Sequence, residues 1–263
     1  MGIFETIFLG ILQGLTEFLP VSSSGHLVIA QSLLKDFKEP ALTYDILLHF
    51  ATFCAVVVHF RYKIFTLIKA FIGFFNTKHR VVYYDNRKFL WGIIVASIPT
   101  AVIGLFLKKY TDTIFSSTVY AGYGLIITSI LLIVSDKFNG RKSISIPESF
   151  WIGIVQGIAV IPGISRSGST ISAALMLGIK REEAVEFSFL MALPAVFGAT
   201  LLEVRKISSI ETDMLLIYLL GCISAFITAL FAIHIVRKIV NNKMLKYFSL
   251  YCLIVGIITV IWL

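Results

Sequence analysis

Two polar stretches stand inside otherwise apolar sequence, and each carries side chains that do chemistry. The first, QGLTEFLPVSSSGH at 13–26, holds Gln13, Glu17, Ser22, Ser23, Ser24, Gly25 and His26. The second, PGISRSGST at 162–170, holds Gly163, Ser165, Arg166, Ser167, Gly168 and Thr170. A carboxylate such as Glu17 within an apolar helix is costly unless compensated, and such residues are usually functional. Gln13 lies four residues earlier, on the same helical face. A carboxylate with an amide oxygen suits a hard divalent cation, Mg²⁺ or Ca²⁺, that also touches substrate phosphates. The alternative is that Glu17 pairs with Arg166 or caps backbone amides. His26 titrates near neutrality and is a candidate base, proton donor or nucleophile. Ser22, Ser23 and Ser24 are candidate attacking hydroxyls that such a base activates.

The second stretch has the features of an anion cradle. Each stretch ends where a short helix begins, and free N–H groups at a helix start attract anions. Gly, Ser and Thr at Ser22, Ser24, Gly25, Gly163, Ser165, Ser167, Gly168 and Thr170 let a ligand approach that backbone. Arg166, flanked by two serines, offers a planar fork that binds phosphate oxygens bidentately; its alternative is snorkelling to the interface. Glu186 in VEFSFL is a candidate supporting partner. His49, His59 and His234 lie in or at the ends of apolar spans and read as packing residues. The three cysteines lie far apart in apolar runs and have no metal-site spacing.

The elements that position these residues follow from hydropathy. The chain has 263 residues, 57% hydrophobic and 14% charged, with mean hydropathy +0.90. A soluble domain carries roughly a quarter charged residues, so the solvent here is a bilayer. Closed barrels are excluded because their strands alternate polar and apolar in short segments. The net charge of +8 reads as basic loops that orient helices, not as a nucleic-acid surface. The fold expected is an all-α polytopic membrane protein, a single integral membrane domain over 1–263.

An internal repeat sharpens that expectation. At an offset of 143 positions, Gln13 meets Gln156, and ten identities fall between residues 5–34 and their counterparts. They include Gly10 with Gly153, Gly14 with Gly157, and Ser22, Ser24 and Gly25 with Ser165, Ser167 and Gly168. This reads as a duplication, with repeats over about 1–135 and 144–263. Each copy starts with a helix (about 3–18 and 148–161), a Pro/Gly/Ser stretch and a short helix (about 25–35 and 168–178). Such interrupted segments at matching positions are expected as re-entrant units around a buried site; ordinary spans kinked at Pro20 and Pro162 are the alternative. Six full spans remain, at about 42–60, 89–107, 117–135, 184–203, 213–236 and 246–262. With the N-terminus outside, sixteen basic residues fall in cytoplasmic loops and six outside, as the positive-inside rule requires. The copies are then inverted. On this reading 61–88 is a basic cytoplasmic loop, whose charges serve either topology or anionic lipid.

The two stretches resemble the signature motifs of bacterial undecaprenyl-diphosphate phosphatases of the bacitracin-resistance type. QGLTEFLPVSSSGH is similar to the family's acid-or-amide-x-x-x-Glu followed by Pro-Val-Ser-Ser-x-Gly-His, and PGISRSGST to its Pro-Gly-x-Ser-Arg-Ser-x-x-Thr. The similarity extends over the whole chain, EFSFLMALP included. It implies that Glu17, His26 and Arg166 are essential, that Gln13 occupies the variable acid-or-amide position, and that Ser22 and Ser23 belong to the catalytic loop. It further implies inverted re-entrant repeats, a divalent-cation requirement, and a site open to the outer face of a bacterial cell (inner) membrane.

On that resemblance the expected reaction is hydrolysis of undecaprenyl diphosphate to undecaprenyl phosphate and phosphate. The lipid tail lies between helices, and Arg166 with helix-start amides binds the diphosphate. A cation at Glu17 and Gln13 neutralises further charge. Either Ser23 attacks with His26 as base, or His26 attacks directly. A polyprenyl-phosphate transporter is the competing reading, because inverted repeats with broken helices also serve transport. Membrane lipid is an expected partner, nucleic acid is not, and a homodimer is an open assembly.

Overall fold

The structure is a computed structural model that describes residues 2–33, 41–107, 117–207 and 212–262. It is all helical apart from one isolated bridge between Lys142 and Ile179. The helices, numbered along the described chain, are α1 (Ile3–Phe18), α2 (Ser23–Leu33), α3 (Ala41–His59), α4 (Arg61–Phe75), α5 (Arg80–Leu107), α6 (Thr118–Ser135), α7 (Ile146–Ile158), α8 (Arg166–Met176), α9 (Arg181–Ile207), α10 (Thr212–Asn241) and α11 (Leu245–Trp262). Five stretches, Thr77–Leu107, Thr118–Ser135, Arg181–Leu202, Met214–Asn241 and Leu245–Trp262, are long and apolar enough to cross a membrane. The pair Tyr44–His59 and Arg61–Phe75, bent by 78°, adds a sixth when taken as one broken span. The chain is a multi-pass membrane protein. With 16, 11, 13 and 11 residues, α1, α2, α7 and α8 each fall short of the roughly 20 needed to cross alone.

The sequence expectation of a loop over 61–88 is corrected. The stretch Arg61–Phe75 is α4, and α5 starts at Arg80. Lys63 and Lys69 give the segment a loop-like charge, but its apolar positions keep helical spacing. Leu67, Ala70 and Gly73 form its buried face. Lys63 reaches Glu186 at 3.3 Å and lies over the Phe89 ring at 4.6 Å, so its charge is matched while its stem packs.

Small residues set the helix packing. A Cβ on Gly10 meets Gly221 and Ser224 of α10, and one on Gly14 meets Ala225 and Thr228. Their counterparts at offset 143 behave alike: Gly153 abuts Ala96 and Gly157 abuts Ile103, both on α5. This is the close backbone approach of a small-xxx-small seam. Thr100 Oγ1 donates across the α5–α7 seam to the Gly153 carbonyl at 2.9 Å. The helices α6 and α11 run antiparallel, Gly122 opposite Gly256 and Ser129 opposite Ser249, hydroxyls 3.0 Å apart.

The breaks after α1 and α7 have local causes. Leu19 is extended (ψ 143°), as a residue before proline is biased to be, and Ser22 turns the chain at φ 68°. After α7 the reversal uses Gly163 at φ 85°, a conformation open to glycine at no steric cost. Ser165 then caps α8, its Oγ accepting from the Gly168 N–H at 3.1 Å.

Candidate active site

The two polar loops interlock. A Cβ on Gly25 stands 3.0 Å from Gly163 Cα, so the loops cross glycine on glycine. Ser167 Oγ donates to the Leu19 carbonyl of the first loop at 3.2 Å. Thr128 of α6 fixes the second loop: its Oγ1 donates to the Gly163 carbonyl and accepts from the Ser165 N–H, both at 2.9 Å. Gly25, Gly163, Ser165 and Ser167 are thus assembled in one place, held mainly by backbone and hydroxyl contacts.

Glu17 lies at the centre of that crossing, 6% exposed. Its Oε2 accepts from Ser23 Oγ at 2.5 Å and from Gln13 Nε2 at 2.9 Å. Its Oε1 accepts from the Arg166 guanidinium in an ion pair. Ser23 is the first residue of α2 and Arg166 the first of α8. Two helix starts therefore deliver one side chain each to the two oxygens of a single carboxylate. A buried carboxylate without such partners is strongly destabilising.

His26 takes a different place. Its Nδ1 is 2.8 Å from the Ser22 carbonyl and its Nε2 is 2.8 Å from the Tyr251 hydroxyl. The Ser23 hydroxyl points to Glu17, so the contacts pair the serine with the carboxylate. Ser22 Oγ accepts from the Gly25 N–H and faces Ser24 Oγ, each at 3.3 Å. The Thr170 hydroxyl donates to the Arg166 carbonyl at 2.8 Å and contacts Ser188 Oγ at 2.5 Å. Ser165, Thr170 and Gly168 are buried in holding the start of α8.

Sequence reasoning missed two residues at this site. The sequence places His49 among packing residues, yet its Nε2 lies 3.6 Å from Glu17 Oε2 while Nδ1 meets the Asp45 carbonyl at 2.8 Å. An imidazole within an apolar span has little packing advantage over leucine, but nothing in the local sequence aims it at Glu17. Tyr251 carried no signal, since tyrosines are common in apolar helices near the interface. Conversely, Glu186 pairs with Lys63, and His59 packs edge-on to Phe60.

A small pocket lies beside Glu17 and Arg166. Its other walls are largely apolar, with Phe53, Val56, Phe189 and Leu193 among them. One end is charged and the rest greasy, as a lipid with an anionic head requires. Among the described residues no three His, Cys, Asp or Glu side chains converge as a metal cage. Gln13 Oε1, however, is buried without a hydrogen-bond partner next to Glu17. One carboxylate and one spare amide oxygen fit a hard cation that takes its remaining ligands from substrate phosphates and water.

The family described as bacitracin resistance protein BacA matches residues 6–258. An undecaprenyl-diphosphatase of Methanococcus vannielii is 41% identical over 263 residues, covering 98% of this chain and 100% of the relative. One from Korarchaeum cryptofilum is 41% identical over 259 residues, 98% of each chain. One from Syntrophotalea carbinolica is 41% identical over 260 residues, 97% of each.

Proposed function

The chain belongs to the bacitracin resistance protein BacA family, and from that premise we propose that it is an undecaprenyl-diphosphatase. It hydrolyses undecaprenyl diphosphate to undecaprenyl phosphate and inorganic phosphate. The observation that carries the site assignment is the convergence of Ser23 and Arg166, each the first residue of a short helix, on Glu17. A hydroxyl beside a carboxylate, opposite a guanidinium and two helix starts, is the equipment of phosphoryl transfer by an activated nucleophile.

The diphosphate enters the charged end of the pocket, and the first isoprene units lie along Phe53, Val56 and Leu193. Arg166 turns its fork from Glu17 to the terminal phosphate. Ser23 Oγ attacks the terminal phosphorus while its proton passes to Glu17. The phosphoanhydride P–O bond breaks, and undecaprenyl phosphate leaves with that electron pair. Water then attacks the phosphoserine, giving its proton to His26 Nε2; the P–O bond to Ser23 breaks as Glu17 returns its proton to Ser23 Oγ, and phosphate is released. Glu17 and Gln13 would hold a divalent cation, Mg²⁺ or Ca²⁺, which neutralises phosphate charge when bound. Compared with the sequence expectation, Glu17 replaces His26 as the partner of Ser23. Attack by His26 itself is the second reading, favoured by its nearness to the same loop.

The proposal extends to topology: six spans, two inverted re-entrant units, and a site open to the outer face of the cell membrane. It is supported by the exchange of partners between repeats, α1 on α10 and its counterpart α7 on α5. The antiparallel α6 and α11, meeting Gly122 to Gly256 and Ser129 to Ser249, are what a two-fold axis between them produces.

The test is phosphate release from undecaprenyl diphosphate by the purified chain in detergent, with Mg²⁺, with Ca²⁺ or with chelator. Cation-dependent release is expected, with an acid-stable phosphoserine trapped at Ser23 on rapid quenching. An acid-labile phosphohistidine would move the nucleophile to His26. A folded protein that releases no phosphate would overturn the enzymatic reading.

A further inference from the structure

We propose that Tyr251, on the last helix, is a positioning residue for the reaction: it holds His26 in one tautomer with Nε2 as its basic nitrogen. The inference rests on the phosphatase reading for its consequence, and on geometry alone for the contact.

The two partners of His26 leave little freedom. A carbonyl oxygen only accepts, so the Ser22 contact at 2.8 Å requires a proton on Nδ1. In a neutral imidazole Nε2 then carries the lone pair, and the Tyr251 hydroxyl, 2.8 Å away, donates to it. The two rings are nearly parallel, 7° apart with centroids at 5.6 Å, which fixes the plane of the imidazole as well as its proton. When Nε2 gains a proton during turnover, the same hydroxyl rotates and accepts, since a phenol serves both roles. Tyr251 thus offers a hydrogen bond to either state of His26 without moving its ring.

The helix that carries Tyr251 is itself tied to the rest of the site. The next residue, Cys252, places its Sγ 3.6 Å from the Pro20 carbonyl of the first loop. Two residues before Tyr251, Ser249 donates to the Ser129 carbonyl at 2.8 Å. Ser129 adjoins Thr128, which holds Gly163 and Ser165 at the start of α8. One rigid pair of helices, α6 and α11, therefore sets both the loop that presents Arg166 and the ring that orients His26. A displacement of α11 would misplace the imidazole relative to the phosphate cradle, and small errors of that kind are expensive in catalysis.

The experiment combines kinetics with the nitrogen spectrum of the full-length protein. In wild type labelled with ¹⁵N-histidine, the His26 resonances, assigned by their loss in His26→Gln, should show a protonated Nδ1 and a hydrogen-bonded, unprotonated Nε2. Tyr251→Phe keeps the ring and removes the hydroxyl. It should shift the Nε2 resonance, lower kcat on undecaprenyl diphosphate on the order of tenfold to a hundredfold, and leave KM and the thermal midpoint unchanged. A wild-type spectrum with the proton on Nε2 overturns the proposal even if no variant folds. So does a Tyr251→Phe protein with wild-type kcat, or one whose kcat falls with no change at Nε2. Absence of phosphate release from wild type together with the expected spectrum would instead locate the failure in the phosphatase reading.

Discussion

The loop of residues 17–26 and the loop of residues 160–169 occupy matching places in the repeat, yet only one carries a reactive set. At the offset of 143, Val160 stands opposite Glu17, Ser169 opposite His26 and Arg166 opposite Ser23. The first loop has a buried carboxylate, a hydroxyl on it and an imidazole. The second has the guanidinium, and two of the hydroxyls around it build the start of α8: Ser165 caps the helix and Thr170 binds its own helix and Ser188. Their backbones differ in the same sense. The first loop turns through Ser22 at φ 68° and the second through Gly163 at φ 85°, so the strained residue type lies in the reactive loop, as strain tends to. The duplication supplied two helix starts of one shape, and the side chains divided the work between attack and charge.

The largest effects should come from removing that division. Glu17→Gln keeps the shape and loses the charge; phosphate release per folded molecule should fall by roughly a thousandfold or more, and the thermal midpoint should fall as well because Arg166 loses its ion pair. Adding Val160→Glu to that variant moves a carboxylate to the matching place in the second loop, and should restore nothing. Recovery to within about tenfold of wild type would mean the two loops are interchangeable and would break the comparison. Arg166→Lys should also lose roughly a hundredfold or more, because an ammonium cannot replace the planar fork.

A second arginine gives the next contrast. Arg181 donates to Asp136 Oδ1 at 3.2 Å, and to the carbonyls of Asp136 (2.8 Å), Phe138 (2.9 Å) and Val240 (2.8 Å). Both of its terminal nitrogens are taken up by structure, whereas Arg166 lines the pocket. Arg181→Leu strands the Asp136 carboxylate, 8% exposed, and should cost about 3 kcal/mol of stability. Activity per folded molecule, measured by phosphate release after thermal fractionation, should stay at the wild-type value. Loss of activity without loss of stability would assign Arg181 a role in turnover.

How much of this was legible depended on contrast with the surroundings. Glu17, Ser23, His26 and Arg166 stand out because charge and hydroxyls are costly in apolar sequence, and pairing of Glu17 with Arg166 was one of the readings open from the sequence. The partners recruited from ordinary spans were hidden. His49 sits in a run that reads as packing, and Tyr251 meets His26 across 225 residues; no local pattern encodes either contact. The helix α4 was hidden for the opposite reason, since its lysines imitate a loop and only Glu186 and the Phe89 ring explain how Lys63 is accommodated.

His49 marks a smaller step on the same comparison, because its partner on the carboxylate comes from outside either loop. At 3.6 Å from Glu17 Oε2 it competes with Ser23 and Gln13, which are closer. His49→Gln should therefore lower kcat by only about three- to tenfold, a weak polar contact being worth roughly 1 kcal/mol. A loss as large as that of Glu17→Gln would make His49 part of the reacting set.

The smallest effect tests the strained turn. Ser22→Gly releases a left-handed residue, which costs a non-glycine side chain roughly 1 kcal/mol, so the thermal midpoint should rise slightly. The Ser22 carbonyl, which orients His26 Nδ1, is backbone and survives the change. The lost hydroxyl contacts are long, 3.3 Å to both the Gly25 N–H and Ser24 Oγ, so activity should stay within about threefold. If Ser22→Gly instead abolished phosphate release, the hydroxyl would be touching substrate, and strain in the first loop would serve to aim Ser22 as well as to place His26. A midpoint that fell would mean the turn is held by the hydroxyl rather than resisted by the backbone. The contrast with Gly163 would then be one of hydrogen bonding, not of conformation.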